Sequence, residues 1–440
     1  MSDSTHAAST PDAERGLTRA IGVLGLAAAI FNTTVGGGIF RLPGVVTELM
    51  GASAPWVYVI CAVAIGLVVL TFAEAGSRVS MTGGPYAYVE LVFGPYAGFM
   101  SGVLLWLLGT TAMASVSSAY AGFIGTLFPA LSAGVPRALV LAVSFAFLAG
   151  VNLRGVRQGT QLIGLVSVAK LLPLLILVAV GAMAIAPANL SAEHAPAAST
   201  FARTATVLFF AFMGIESALV PSGEVKNPSR TVPRAIAIAM IGVTVLYISI
   251  QLVAQGVLGV DALAAAKAAP LAAVADRLMG SPGRLLLLIG AAISTFGYMS
   301  GMTLAMPRAL YAFARDGFLP RPIAAVHPRF HTPWLAIVVQ SATVCALAVA
   351  NEFEALAVLA NLSALLLYAM CAVAAWELRR RHLQNEGTTP FNLPLGPTVH
   401  VLTCAVIVWM LTSITVEEWR AVGLVLVVAT VLFLFRRKQA

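Results

Sequence analysis

The sequence predicts an all-α integral membrane protein of twelve transmembrane helices laid out as two inverted repeats. Three observations predict it: the composition, the spacing of the charges, and two apolar helices that their own residues interrupt. Of the 440 residues, 59% are hydrophobic and 10% are charged, and the mean hydropathy is +0.92. A soluble domain carries roughly 25% charged residues, so this chain cannot coat a water-facing surface of its size. Its about 260 apolar residues suffice for roughly a dozen spans of about 20 residues each. Soluble enzymes, nucleic-acid modules and disordered scaffolds are excluded on this ground.

The spans follow from where charge is missing. No Lys, Arg, Asp or Glu occurs between Arg19 and Arg41, Glu48 and Glu74, Glu90 and Arg137, or Arg137 and Arg154. The same holds between Lys170 and Glu193, Arg234 and Asp261, Arg284 and Arg308, and Glu354 and Glu377, and for the stretch before Glu417. With Gly and Pro as breaks, the helices fall near 18–47, 53–78, 95–128, 137–152, 159–186, 202–222, 232–257, 284–313, 333–351, 354–378, 397–416 and 420–436. Residues 1–17 are polar and lack an apolar core before a cleavage site, so they read as a short cytosolic tail. The organisation is then a first repeat at 18–186, a second at 202–378, a peripheral pair of helices at 397–436 and a short cytosolic tail at 437–440.

Charge asymmetry orients the chain. Lys and Arg outnumber Asp and Glu by 26 to 18, a net +8. With the N-terminus in the cytosol, the cytosolic connections carry Arg78, Arg154, Arg157, Lys226, Arg230, Arg234, Arg308, Arg315, Arg321 and Arg329. Arg379, Arg380, Arg381, Arg436, Arg437 and Lys438 join them on that side. The opposite side holds Arg137, Arg203, Lys267, Arg277, Arg284 and Arg420, spread among acids, with Arg41 near its rim. The positive-inside rule therefore puts both termini in the cytosol of a multi-pass inner (plasma) membrane protein. It also accounts for the basic balance without nucleic acid. Cys61, Cys345, Cys371 and Cys404 stand singly in apolar runs and read as small hydrophobes.

Two spans are not expected to be whole. In the first, Asn32-Thr33-Thr34-Val35-Gly36-Gly37-Gly38-Ile39-Phe40 interrupts an apolar helix. Each Gly costs roughly 1 kcal/mol against Ala in a helix interior. Helix-packing motifs space their glycines, whereas these are contiguous, so a break is expected. Arg19 to Gly36 is about 25 Å of helix, which puts the break near mid-bilayer. In the sixth span, Gly214 precedes Glu216 within Phe209-Phe210-Ala211-Phe212-Met213-Gly214-Ile215-Glu216-Ser217, about 20 Å of helix after Arg203. Interruptions in the first and sixth spans, five helices apart and running oppositely, point to an inverted-repeat transporter with a midplane site. Freed amides at a half-helix N-terminus near Gly36–Gly38 attract a carboxylate, and freed carbonyls accept from an ammonium. A zwitterionic α-amino acid matches both.

At these residues the chain resembles the amino acid–polyamine–organocation superfamily, whose members share the five-plus-five inverted-repeat (LeuT-like) fold. Four stretches carry the resemblance, in order along nearly the whole chain. They are Gly36 to Gly44; Thr82-Gly83-Gly84-Pro85-Tyr86-Ala87-Tyr88; Gly214 through Glu224 and Arg230 to Pro233; and Pro307-Arg308 through Asp316-Gly317 to Pro333. The resemblance implies that Gly36, Gly37 and Gly38 form the substrate-carboxylate loop. It implies that the carbonyls of Thr34, Phe210 and Met213, beside Gly214, receive the amine. Phe210 takes the place of a gating aromatic, and Gly109, Thr110 and Met113 would line the side-chain pocket. Met302 replaces an aromatic found in the arginine/agmatine antiporter relatives, which weakens the case for a cation-stacking wall. Glu216 matches a sixth-helix acid proposed there as a gating or proton-sensing group.

Charges at membrane depth are functional by default. Lys170 lies about 20 Å of helix from Arg157, too far to snorkel. Proton-coupled, broad-specificity amino acid transporters of this superfamily carry a lysine at the matching place, where sodium-coupled relatives bind a cation. Its ammonium would bridge the broken first helix and the eighth. Glu216 either titrates or holds the broken helices together. Glu74 reads as structural, Arg41 has no assigned partner, and His327 with His331 is a weak metal signal in a loop. No nucleotide-binding loop and no nucleophile–base–acid set appears, so neither ATP nor a cofactor nor a metal is implied.

The expectation is therefore a secondary, proton-coupled, sodium-independent amino acid transporter for neutral substrates, monomeric or homodimeric in the lipid bilayer. An exchanger or an exporter of amino acids or amines is the alternative in mechanism. A channel would show polar rings repeated along a pore, and a membrane enzyme would need a catalytic set that the spans lack.

Overall fold

A computed structural model of the chain describes residues 21–79, 85–154, 170–191, 196–219, 225–315, 317–384, 389–393 and 396–437. The N-terminal tail, Thr82–Gly84, the first part of the fifth span to residue 169, Glu224, Asp316 and residues 438–440 lie outside them.

Among the described residues the structure is helical, with one isolated bridge between Ile21 and Val225. The first span divides into α1 (Val23–Thr34), a 3-10 turn at Gly38–Phe40, and α2 (Leu42–Met50). The interruption falls on the contiguous glycines, where helix propensity is poorest. α3 (Ala54–Arg78) follows, then α4 (Pro85–Phe93) and α5 (Pro95–Leu127). α4 is a short helix absent from the twelve-run reading; Gly94, at φ 84, separates it from the Pro that opens α5. α6 (Gly134–Arg154) and α7 (Leu171–Gly181) complete the first half.

The sixth run breaks as well. α8 (Ala198–Phe209) ends in a 3-10 turn at Phe210–Phe212, and α9 (Ile215–Ala218) resumes after an extended Met213 and a Gly214 of positive φ. α10 (Pro228–Leu258) starts with Pro at its first position, where the missing N–H costs nothing, after Asn227 in the left-handed region. α11 (Val260–Ala265) precedes α12 (Pro270–Arg315), which bends at Gly280 (φ 66) ahead of Pro282. The eighth span therefore begins just past this bend, and residues 270–279 form a further helical segment not expected from hydropathy. α13 (Trp334–Ala350), α14 (Phe353–Arg380), α15 (Pro397–Leu411) and α16 (Val416–Arg437) close the chain.

Seven of these helical stretches are long and apolar enough to cross a membrane, and five shorter apolar ones accompany them. α5 and α14 run through the middle, with most of their residues buried, while α16 lies at the rim. Leu172, Leu175, Ile241, Val245, Leu424 and Val427 are among the large apolar side chains turned outward, as expected where the solvent is hydrocarbon. Glu74, fully buried at the end of α3, pairs with Arg78 at 3.1 Å and Arg379 of α14 at 3.5 Å. The Lys226 N–H donates to the Ile21 carbonyl at 2.9 Å, so the chain after α9 is latched to the start of α1.

Candidate functional site

Two interrupted helices lie side by side. Gly214 takes φ +126, and a Cβ there would stand 2.8 Å from the carbonyl carbon and oxygen of Thr33. Only glycine admits both that conformation and that approach. The Tyr247 hydroxyl of α10 donates to the Thr34 carbonyl at 3.0 Å and the Ala211 carbonyl at 2.9 Å. One proton is shared between a carbonyl from each broken segment. Nothing in the sequence pattern marked Tyr247 for this place.

Between these segments, α5, α12 and Lys170 at the head of α7 lies a cavity of about 280 Å³. It brings together Thr34, Gly36, Gly37, Gly38, Lys170, Phe210, Met213, Gly214, Glu216 and Met302 of the expected site residues. The third span contributes a different face from the expected one: Leu108, Ala112 and Val116, spaced four apart, line the wall. Gly109, Thr110 and Met113 point elsewhere. Gly109 is where the Met306 side chain of α12 packs. The Thr110 hydroxyl accepts from Gln340 Nε2 at 3.0 Å. Met113 is wholly buried in a separate apolar cluster with Leu141, Phe145 and Met299. The physical reason is helix phase: successive side chains lie about 100° apart, so a shift of one residue turns a wall position into a packing position. α12 supplies Ser294, Gly297, Tyr298, Gly301 and Ala305 beside Met302. The small residues Ser294, Gly297, Gly301 and Ala305 recur there at helical spacing, a pattern visible in the sequence alone.

The polar atoms of the cavity divide by where they sit. The Gly37 and Gly38 N–H groups have no acceptor among the described residues, while the Gly36 N–H donates to the Thr34 carbonyl at 2.8 Å. The Thr34 carbonyl thus has two donors already, Gly36 and Tyr247, and both lone pairs are used. Of the three carbonyls expected to take an amine, Phe210 receives a long bond of 3.4 Å from the Met213 N–H, and Met213 receives none among the described residues. A Cβ on Gly37 would overlap the Thr295 methyl and lie 2.9 Å from Val116 Cγ1, so packing as well as ligand approach calls for glycine there.

Lys170 is buried, and its Nζ donates to the Asn32 carbonyl, the last turn of α1 before the break. Among the described residues the expected link to the eighth span is not made: Ser294 Oγ of α12 lines the same cavity, buried, without a partner there. Glu216 Oε2 accepts from the Gly214 N–H at 3.0 Å and from the Tyr368 hydroxyl of α14 at 2.6 Å. The acid therefore clamps the break in the sixth span to α14. His327 Nδ1 accepts from the N–H groups of Arg329 and Phe330, at 3.2 and 3.3 Å, and so caps its own loop. The four cysteines are free thiols.

A cavity between two broken helices agrees with what the chain is similar to. The amino acid permease family matches residues 21–435. The serine/threonine exchanger SteT of Bacillus subtilis is 26% identical, over 93% of this chain and 94% of its own length. The methylthioribose transporter of the same organism is 25% identical, over 97% and 95%. Its branched-chain amino acid permease BcaP is 24% identical, over 97% and 95%. The chain belongs to the amino acid permease family of the amino acid–polyamine–organocation superfamily, and is a multi-pass membrane transporter of amino acids rather than an enzyme.

Proposed function

We propose that this transporter carries neutral α-amino acids by alternating access, coupled to protons and independent of sodium. The observation that carries the reading is the meeting, in one cavity, of Gly37 and Gly38 amides that are unpaired among the described residues with the Met213 carbonyl across an apolar wall. Amides near the start of α2 suit a carboxylate, the carbonyl suits an ammonium, and Leu108, Ala112, Val116 and Met302 suit an uncharged side chain. Glu216 is the one carboxylate of the lining among the described residues, and two donors already hold it. A guanidinium would therefore be buried without compensation, at a cost of several kcal/mol.

Lys170 supplies the coupling in this reading. Charged, it ties α7 to the Asn32 carbonyl at the break; neutral, it donates more weakly and the two access states change in relative stability. Glu216 and Tyr368 set the geometry of the second break. The twelve spans, a five-plus-five inverted repeat (18–186 and 202–378) and cytosolic termini belong to the same proposal, supported by the charge asymmetry and by the two breaks.

The test is uptake into proteoliposomes with a panel of labelled amino acids, crossing pH and sodium gradients. Alanine, leucine and methionine should compete better than arginine, agmatine or putrescine, and sodium should be dispensable. A sodium requirement, or preference for the cationic substrates, defeats the reading. A second reading, exchange, has a specific observation in its favour, the similarity to a serine/threonine exchanger over 93% of the chain. Counterflow separates the two: uptake that vanishes without internal amino acid selects exchange.

A further inference from the structure

Arg41 stands at the head of α2, just beyond the broken segment, and makes no ion pair or side-chain hydrogen bond among the described residues. Its guanidinium instead lies over the ring of Phe353, 5.3 Å from the centroid. Phe353 is the first residue of α14, is wholly buried, and has its carbonyl held by Ser115 Oγ of α5 at 2.7 Å. The same ring meets Phe210 edge to face, at 5.6 Å and 84°. Phe210 belongs to the cavity lining, and it packs so closely on Gly38 that a Cβ there would be 3.1 Å from its ring.

Three layers from three elements thus cover one end of the cavity: Phe210 from the turn after α8, Phe353 from α14, and Arg41 from α2. At the other end the lining finishes on Ala305, which is exposed. A cation is attracted to an aromatic face by the ring quadrupole, with less energy than a buried ion pair. Such a contact can hold a closed state and still part in every cycle. Glu352 and Glu354 at the head of α14 attract Arg41 at longer range, and Arg137 at the head of α6 repels it.

We propose that Arg41 is a gate residue: its stacking on Phe353 holds Phe210 across the cavity and keeps this end shut. The proposal rests on the alternating-access reading and places the gate on the extracellular side that the charge asymmetry assigns. Opening this end requires the guanidinium to leave the ring, which frees Phe353 and lets Phe210 swing from Gly38. Arg41 acts through Phe353 and Phe210, and is a positioning residue.

The test uses the full-length protein in oriented vesicles, with the four native cysteines replaced and a reporter thiol at the cavity wall, Ala112→Cys. A membrane-impermeant thiol reagent is applied from the Arg41 side. Arg41→Gln should raise the labelling rate roughly three- to thirty-fold, the range a cation–π contact supplies, and lower labelling from the other side. Arg41→Lys, which keeps the cation, should restore most of the closure. Phe353→Leu should mimic Arg41→Gln, with no further gain in the double variant. Labelling unchanged in an Arg41→Gln protein that remains monodisperse and folded overturns the gate, as does full opening in Arg41→Lys or additive effects in the double variant. Amino acid flux is measured in parallel on the same protein without the reporter thiol. Flux with unchanged labelling defeats the gate alone, whereas absence of any flux defeats the transport reading itself.

Discussion

Gly214 and Thr33 are in backbone contact: a methyl group on Gly214 would come within 2.8 Å of the Thr33 carbonyl. The two broken helices cross at this point, and the left-handed φ of +126 at Gly214 turns its N–H toward Glu216 at 3.0 Å. Gly214→Ala is expected to lose stability by about 1–3 kcal/mol from the backbone conformation alone, with the overlap at Thr33 adding to it. Thermal unfolding of the purified protein should show the drop, together with loss of substrate binding. A variant as stable as the parent would place the crossing elsewhere.

The glycine loop separates packing from recognition. Gly36 has room for a methyl, with its nearest neighbour, Tyr298 Cδ2, 3.8 Å away. Gly36→Ala should fold normally and bind substrate about tenfold more weakly, roughly 1.4 kcal/mol, because the methyl enters the cavity. Gly37→Ala should fold poorly, since its methyl meets Thr295 and Val116, and Val116→Ala should partly rescue it. Titration of binding by scanning calorimetry or fluorescence, next to a melting curve, distinguishes the two positions. A well-folded Gly37→Ala with intact affinity would remove the carboxylate loop from the site.

Loss of the Tyr247 hydroxyl removes a donor from two carbonyls of different helices and strands one of them. Tyr247→Phe should cost about 1–3 kcal/mol, since the Ala211 carbonyl is left buried without this donor. The Thr34 carbonyl keeps the Gly36 N–H and becomes free to accept from an ammonium, so affinity should fall less than stability. Parallel measurement of both quantities decides it; an affinity loss exceeding the stability loss would mean that the hydroxyl itself touches substrate.

Coupling is read from Lys170. Wild-type uptake should rise as external pH falls across about pH 8 to 5, without sodium, because protonation restores the Lys170 tie to the Asn32 carbonyl. Lys170→Ala should transport at a rate that is flat over the same range. Uptake is followed in vesicles at fixed internal pH, and a normal pH response in Lys170→Ala would move the coupling to Glu216 or another group.

Tyr368 and Glu216 form the second break's clamp, at 2.6 Å. Tyr368→Phe and Glu216→Gln should each slow turnover several-fold and leave the pH response in place. Initial rates at saturating substrate, compared over the pH series, test this. Loss of the pH response in Glu216→Gln would make the acid the titrating group.

Much of this molecule was legible from the chain because the deciding physics is local. Hydropathy marks a span wherever about twenty apolar residues run together, whatever packs against them. Three contiguous glycines weaken a helix wherever they stand, and the first span breaks there; Gly214 beside an acid marked the second break for a similar reason. Lys170 drew notice as a lone amine in an apolar run, costly in any tertiary context, and it lines the cavity.

Tertiary structure decided which side of each helix the cavity sees. On α5 the wall is Leu108, Ala112 and Val116, while Gly109, Thr110 and Met113 serve Met306, Gln340 and a separate core. No residue in the third span announces that choice: its apolar positions run all round, and one step along the helix turns a side chain by about 100°. Nor could the chain announce that Tyr247 serves two breaks, that Arg41 stacks on Phe353 over three hundred residues later, or that Gly37 is pressed by Thr295. Those are contacts between distant segments, set by how helices cross and rotate in the bundle, and the free energy that selects them is summed over all their neighbours.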